Sequence, residues 1–293
     1  MTASNAPRDE QSPRPGGQPG VHLDSTAHLM NRISSQLAGQ LSLVSLDGRR
    51  RPGPPALVLV AHGSRDPRAL STVRSLLELV RERRPSLPVR LGHIELNAPL
   101  LPDTLAELGD TPAVLVPLLL GRGHHVKQDI PATAAEAGGH AYVAAPLGPH
   151  PLLVETLYAR LGEAGWQAPR TEAERAAAAV VLAAAGSRAP DSAADTRRSA
   201  QLLAERLGVP VVPAYASAAT PTVEAAVRSL SARGRHRIAV ASYFTAPGRF
   251  ATESAAKAPW IASAPLGAHP AMARLVLHRY DQALAAGGAS NAA

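Results

Sequence analysis

From Ala56 onward the chain alternates short apolar runs with longer amphipathic stretches: ALVLVA (56–61), LSTVRSLLELVRERR (70–84), VRLGHIEL (89–96), LPDTLAELG (101–109) and AVLVPLLL (113–120). Short continuous apolar runs bounded by turn residues predict buried strands, and apolar residues spaced three and four apart predict helices that cover one face. The order is βαβαβ, which predicts a parallel sheet flanked by helices. Residues 1–53 lack this pattern. Pro, Gly, Ser, Arg and Gln dominate there, and the one periodic stretch, 28–46, is weakly amphipathic. The expectation is a disordered N-terminal arm with at most one short helix.

The pattern then recurs. ALVLVAHGSRDP at 56–67 is answered by VVLAAAGSRAPD at 180–191, and APLGPHP at 145–151 by APLGAHP at 264–270. Two copies of one motif order, each ending before a helical segment, indicate an internal duplication. The expected layout is one α/β unit over 56–163, a linker over 164–175 (ending WQAPRTEAER), a second unit over 176–286 and a disordered tail over 287–293.

Composition narrows the chemistry. With no cysteine in the chain, disulfides, iron–sulfur clusters, thiolate zinc sites and cysteine nucleophiles are excluded, so any metal site uses His and carboxylate. The longest apolar runs fall far short of the roughly 20 residues of a membrane-spanning helix. The first twenty residues, MTASNAPRDEQSPRPGGQPG, lack the basic start and apolar centre of a secretory signal, and the expected location is the cytoplasm. A net charge of +7 favours an acidic partner. Nucleic acid is not expected, because aromatic residues are only 3% of the chain and single-strand binding needs aromatic stacking platforms.

In the first unit each strand delivers a polar group at its carboxyl end, where open parallel sheets place their ligand sites. His62 follows ALVLVA, Glu95 sits near the end of VRLGHIEL, and His124 and His125 follow AVLVPLLLGRG. If the three strands are neighbours, two imidazoles and one carboxylate converge on one cleft, a ligand set suited to an open divalent-metal site. Each residue taken singly has a plainer reading. His62 fits a helix cap, Glu95 a solvent-facing strand residue, and His124 and His125 a solvated loop pair. Gly63, Ser64 and Arg65 also fit an anion-binding turn at a helix N-terminus. PLGxHP occurs in both halves and reads as a structural element.

Taken together, AHGSRDP, HIELNAPLLP, LLLGRGHHVKQDIP and PLGPHP, in this order and spacing, resemble the sirohydrochlorin chelatases, small class II tetrapyrrole chelatases of the cobalto- and ferrochelatase type. The resemblance implies two tandem chelatase-like α/β units facing across a cleft, the second of them degenerate. It implies a metal held by His62, Glu95 and His125, which also serve catalysis. His125 is preferred to His124 because the family's ligand histidine stands four residues before the aspartate of DIP, here Asp129. The implied reaction inserts a divalent metal, Fe2+ favoured and Co2+ the alternative, into sirohydrochlorin with release of both pyrrole N–H protons and no organic cofactor. A non-catalytic metal or tetrapyrrole carrier is the other alternative. Ser64, Arg65, Arg68, Arg122, His124 and Lys127 are the expected contacts to the anionic macrocycle. Aligning the halves places Ala185 opposite His62, Ser217 opposite Glu95 and Phe250 opposite His125, so one metal site per chain is expected. A monomer is plausible, since the duplication supplies both halves of the cleft.

Overall fold

Two four-stranded parallel sheets carry the two repeats. The structure, a computed structural model, describes residues 53–290, with side chains to residue 286; the expected arm up to residue 52 and the end of the expected tail lie outside the described residues. The first repeat runs β1 (Ala56–Ala61), α1 (Pro67–Arg83), β2 (Val89–His93), α2 (Leu101–Leu108), β3 (Ala113–Pro117), α3 (His124–Lys127), α4 (Asp129–Glu136), β4 (Ala141–Val143) and α5 (Pro151–Glu163). After α6 (Glu172–Ala177), the second runs β5 (Ala178–Ala184), α7 (Pro190–Leu207), β6 (Val211–Tyr215), α8 (Val223–Ala232), β7 (Arg237–Tyr243), α9 (Arg249–Ala255), β8 (Ile261–Ala262) and α10 (Pro270–Ser290). The sheet orders are β2-β1-β3-β4 and β6-β5-β7-β8.

Two boundaries differ from expectation. Thr171 and Glu174 form a reciprocal capping box, so a helix starts inside the expected linker. At the other end α10 continues to Ser290, into the segment read as a disordered tail.

β1 is buried along its whole length, which explains why its sequence reads as a continuous apolar run rather than an alternating one. Leu57, Leu59 and Ala61 pack with Val73, Leu76 and Val80 of α1, while Ala56, Val58 and Val60 pack with Leu101 and Leu105 of α2 and Ile130 of α4. Moving from β1 to β2 on one side and back to β3 on the other creates the topological switch point at the carboxyl edge of β1, the usual ligand position in such sheets.

The repeats exchange their last helices. α10 packs on α1, β3 and β4 of the first repeat, and α5 packs on α7 and β7 of the second. Matching bonds fasten each exchange: Arg160 of α5 donates from Nε and Nη2 to Leu266 O, both at 3.1 Å, and Arg279 of α10 donates to Leu147 O at 3.2 Å. Leu147 and Leu266 are the leucines of the two PLGxHP motifs. Their histidines cap the exchanged helices, because His150 Nδ1 accepts from Leu152 N–H at 3.1 Å and His269 Nδ1 accepts from Ala271 N–H at 3.2 Å. Burial, together with Arg279 and His278 nearby, pushes His150 down to about 4, so the imidazole is neutral and its Nδ1 can accept. PLGxHP is therefore a structural element in both repeats. No helix among the described residues is long and apolar enough to cross a membrane.

A close backbone approach follows β1 and recurs after β5. A Cβ on Gly63 would lie 1.8 Å from Glu95 O, and one on Gly186 would lie 1.9 Å from Ser217 O, with φ at +101° and +92°. Only glycine fits either position. Gly63→Ala and Gly186→Ala should each cost at least about 3 kcal/mol. Thermal unfolding should show this as a Tm loss of roughly 6–12 °C. A Gly186→Ala protein melting with wild type would show that the second repeat lacks this approach.

Candidate metal centre

The carboxyl ends of β1 and β2 are stitched together by their backbones. Ile94 N–H donates to Ala61 O at 2.9 Å and Glu95 N–H to His62 O at 3.0 Å. Ser64 N–H donates to Asn97 Oδ1 at 2.7 Å, a tie from a side chain that sequence reasoning passed over. Leu96 takes a left-handed backbone, φ 66°, and is 54% exposed. Such a conformation is unfavourable for a leucine and persists only where the surroundings impose it.

Side chains meet accordingly. His62 Nδ1 lies 3.4 Å from Glu95 Oε1 and 3.3 Å from Gly63 O. From α3, beyond the loop that follows β3, His125 brings its ring edge-to-face against His62, with centroids 4.7 Å apart. His125 Nδ1–H donates to Asp129 Oδ2 at 2.5 Å, an i,i+4 pair across the start of α4. Asp129 thus occupies the Nδ1 side of His125 and leaves Nε2 as the lone pair that ring can offer, while His62 turns Nδ1 toward Glu95. His62 is the member shared by both pairs. Among the described residues no three His, Asp or Glu side chains stand in ready coordinating geometry; the structure gives two adjoining pairs.

The remaining candidates sit as follows. His124 is more exposed than His125 (66% against 33%), and its Nε2 stands 3.6 Å from Asp129 Oδ1, beyond hydrogen-bond range. Its ring is 6.1 Å from His125. Ser64 Oγ accepts from Asp66 N–H at 3.1 Å, and Asp66 caps α1 by accepting from Arg68 N–H at 2.9 Å. Arg68 folds back onto that carboxylate, Nη2 to Oδ2 at 2.6 Å, which holds Asp66 below the usual carboxylate range. Arg65 is exposed. Arg122 and Lys127, expected to face an anionic ligand, instead pair with Asp195 and Asp191 of α7. Those carboxylates lie 73 and 64 residues further along the chain, and nothing local in the sequence links them to the loop.

The second repeat reproduces the frame without the donors. Ser217 N–H donates to Ala185 O at 2.9 Å, the counterpart of Glu95 to His62, and Ala218 takes φ 55° where Leu96 takes 66°. Gly248 precedes α9 as Gly123 precedes α3, which sets Phe250 opposite His125. Ala185, Ser217 and Phe250 thus occupy the three equivalent positions.

Comparison with known proteins agrees with this duplicated architecture. Sirohydrochlorin cobaltochelatase of Methanococcus aeolicus is 37% identical over 79 residues, which cover 26% of this chain and 55% of that protein. The chloroplastic sirohydrochlorin ferrochelatase of Arabidopsis thaliana is 29% identical over 139 residues, 39% of this chain and 62% of that one. The chain therefore spans somewhat over half the length of these curated relatives. Among solved structures, SirB from Bacillus subtilis with Fe3+ superimposes with a TM-score of 0.63 at 23% identity, over 80% of this chain and 97% of SirB, which speaks for the fold. The CbiX family model matches twice, over residues 56–164 and 179–283; these two stretches are the two repeats and make up most of the chain, which belongs to the CbiX family.

Proposed function

We propose that this protein is a sirohydrochlorin chelatase that inserts Fe2+ or Co2+, held by His62, Glu95 and His125, into the macrocycle. The observation that carries the reading is the meeting of His62 with both Glu95 and His125 at the switch point of a CbiX-family sheet. The names of the relatives, cobaltochelatase and ferrochelatase, support the substrate and leave both metals in play. The chemistry suits these residue types. Mixed imidazole and carboxylate ligation leaves positions open and lets a metal exchange to ring nitrogens, where thiolates would hold a soft metal too firmly. Metal entry displaces both pyrrole N–H protons, and histidine and glutamate accept protons near neutral pH. Asp129 fixes the His125 ring through Nδ1 and directs Nε2 toward the metal. Exposed Arg65 is the first candidate to meet the macrocycle's carboxylates, with Arg68 and Lys127 available by exchange of their present partners, while Arg122 stays paired with the buried Asp195. One chain supplies both halves of the site's surroundings, as a monomeric enzyme requires.

The test is the optical spectrum of anaerobic sirohydrochlorin during insertion of Fe2+ and, separately, Co2+, with and without the protein. Acceleration well above the spontaneous rate with at least one metal is expected. Tetrapyrrole binding with no acceleration by either metal would replace the enzyme with a carrier on the same scaffold.

A further inference from the structure

The degenerate second repeat has a task at the metal centre. Between β3 and α3 the chain reads LLLGRGHH, and Arg122 stands between Gly121 and Gly123. Two glycines leave this loop little conformational restraint of its own. The second repeat grips it at consecutive points. Leu120 O accepts from Tyr243 OH at 3.2 Å, and Ser199 lies 2.8 Å from that hydroxyl, in a setting whose burial pushes the phenol pKa upward. Arg122 N–H donates to Asp195 Oδ2 at 2.9 Å, and its guanidinium donates to both oxygens, Nε to Oδ2 at 3.0 Å and Nη2 to Oδ1 at 2.7 Å. A Cβ on Gly121 would meet Asp195 at 3.5 Å, so the loop lies against α7. Asp191 of α7 takes Lys127, on the far side of His125.

Asp195 is only 3% exposed. A buried carboxylate is costly unless paired, and both of its oxygens are engaged by one residue, through backbone and side chain together. That residue precedes His125 by three positions.

We infer that Asp195 is a positioning residue, which holds the Gly121–Gly123 loop so that His125 reaches the metal; this rests on the reading of His125 as a metal ligand. Orientation of the ligand histidine is then shared between Asp129 in its own repeat and Asp195 in the other. The second repeat, lacking donors at Ala185, Ser217 and Phe250, contributes the frame for the first repeat's donors.

Co2+ titration of the full chain, read by the visible ligand-field spectrum, tests this alongside insertion kinetics. Asp195→Asn keeps the shape and removes the charge. It should weaken Co2+ binding by about tenfold or more and lower kcat, with the far-UV circular dichroism of a folded protein at the assay temperature. Arg122→Ala should do the same, and the double variant should be no worse than either single one. Tyr243→Phe, which removes the hydroxyl that donates to Leu120 O, should shift Co2+ affinity in the same direction. If Arg122→Ala instead raised KM for sirohydrochlorin and left Co2+ affinity at the wild-type value, Arg122 would be a substrate contact and the positioning role would fall. A wild-type Co2+ spectrum indifferent to His125→Ala would remove the metal-site reading and this inference with it. A His125-dependent spectrum indifferent to Asp195→Asn would overturn the inference alone.

Discussion

His62→Ala should abolish the acceleration of metal insertion, lowering kcat/KM by about a hundredfold or more. His62 is the member common to both side-chain pairs, 3.4 Å from Glu95 and ring to ring with His125, so its loss leaves the other two donors without a link. The fold should survive. His62 is half exposed and its side chain makes only long surface approaches, 3.3 Å to Gly63 O and 3.4 Å to Glu95 Oε1, while the tie between the β1 and β2 ends uses its backbone carbonyl, which alanine keeps. The measurement is the insertion rate with sirohydrochlorin and Co2+, paired with Tm. A His62→Ala protein within twofold of the wild-type rate would show that insertion does not pass through this residue. His124→Ala supplies the contrast: its ring is farther from the cluster and points Nε2 at Asp129 from 3.6 Å, so the expected loss is smaller than for His125→Ala.

How far the chain could be read in advance depended on distance along the sequence. The βαβαβ pattern and the pairing of Ala185, Ser217 and Phe250 with the three donors were legible, because each rests on local periodicity or on a repeated motif. β4 and β8 were not legible. They are three and two residues long, too short to show alternation. The cap formed by His150 is visible in retrospect from the proline that follows it at the first helical position, although histidine lies outside the usual capping residues. Arg122 and Lys127 read as free cations at a cleft because their partners lie on α7, and charge pairing over such separations leaves no local trace. Helix exchange was hidden for a related reason. The apolar stripe of α10 shows that the helix is covered, and nothing in its period says by which sheet.

That exchange carries the largest expected effect on folding. A fragment ending at residue 164 keeps β1 to β4 and α5 but loses α10, whose Met272, Leu275, Val276 and Tyr280 are at most 1% exposed within a core shared by both repeats. It also loses the bidentate pair of Arg84 with Asp281 and the bond from Tyr280 OH to Pro55 O at 2.6 Å. Four large apolar side chains at about 1.5–3 kcal/mol each amount to roughly 6–12 kcal/mol, comparable with the whole stability of an ordinary domain, about 5–15 kcal/mol. The isolated first repeat should therefore not fold as a monomer. α5 and α10 are equivalent in position, each fastened by an arginine to a PLG leucine carbonyl. Two copies of the fragment can therefore exchange α5 helices, each filling the place of α10. Sedimentation and circular dichroism on residues 54–164 should find a dimer wherever they find secondary structure, and unfolded or aggregated chain otherwise. A folded, monomeric fragment would mean that α10 merely leans on the first repeat, and the duplication would then be a tandem of independent units.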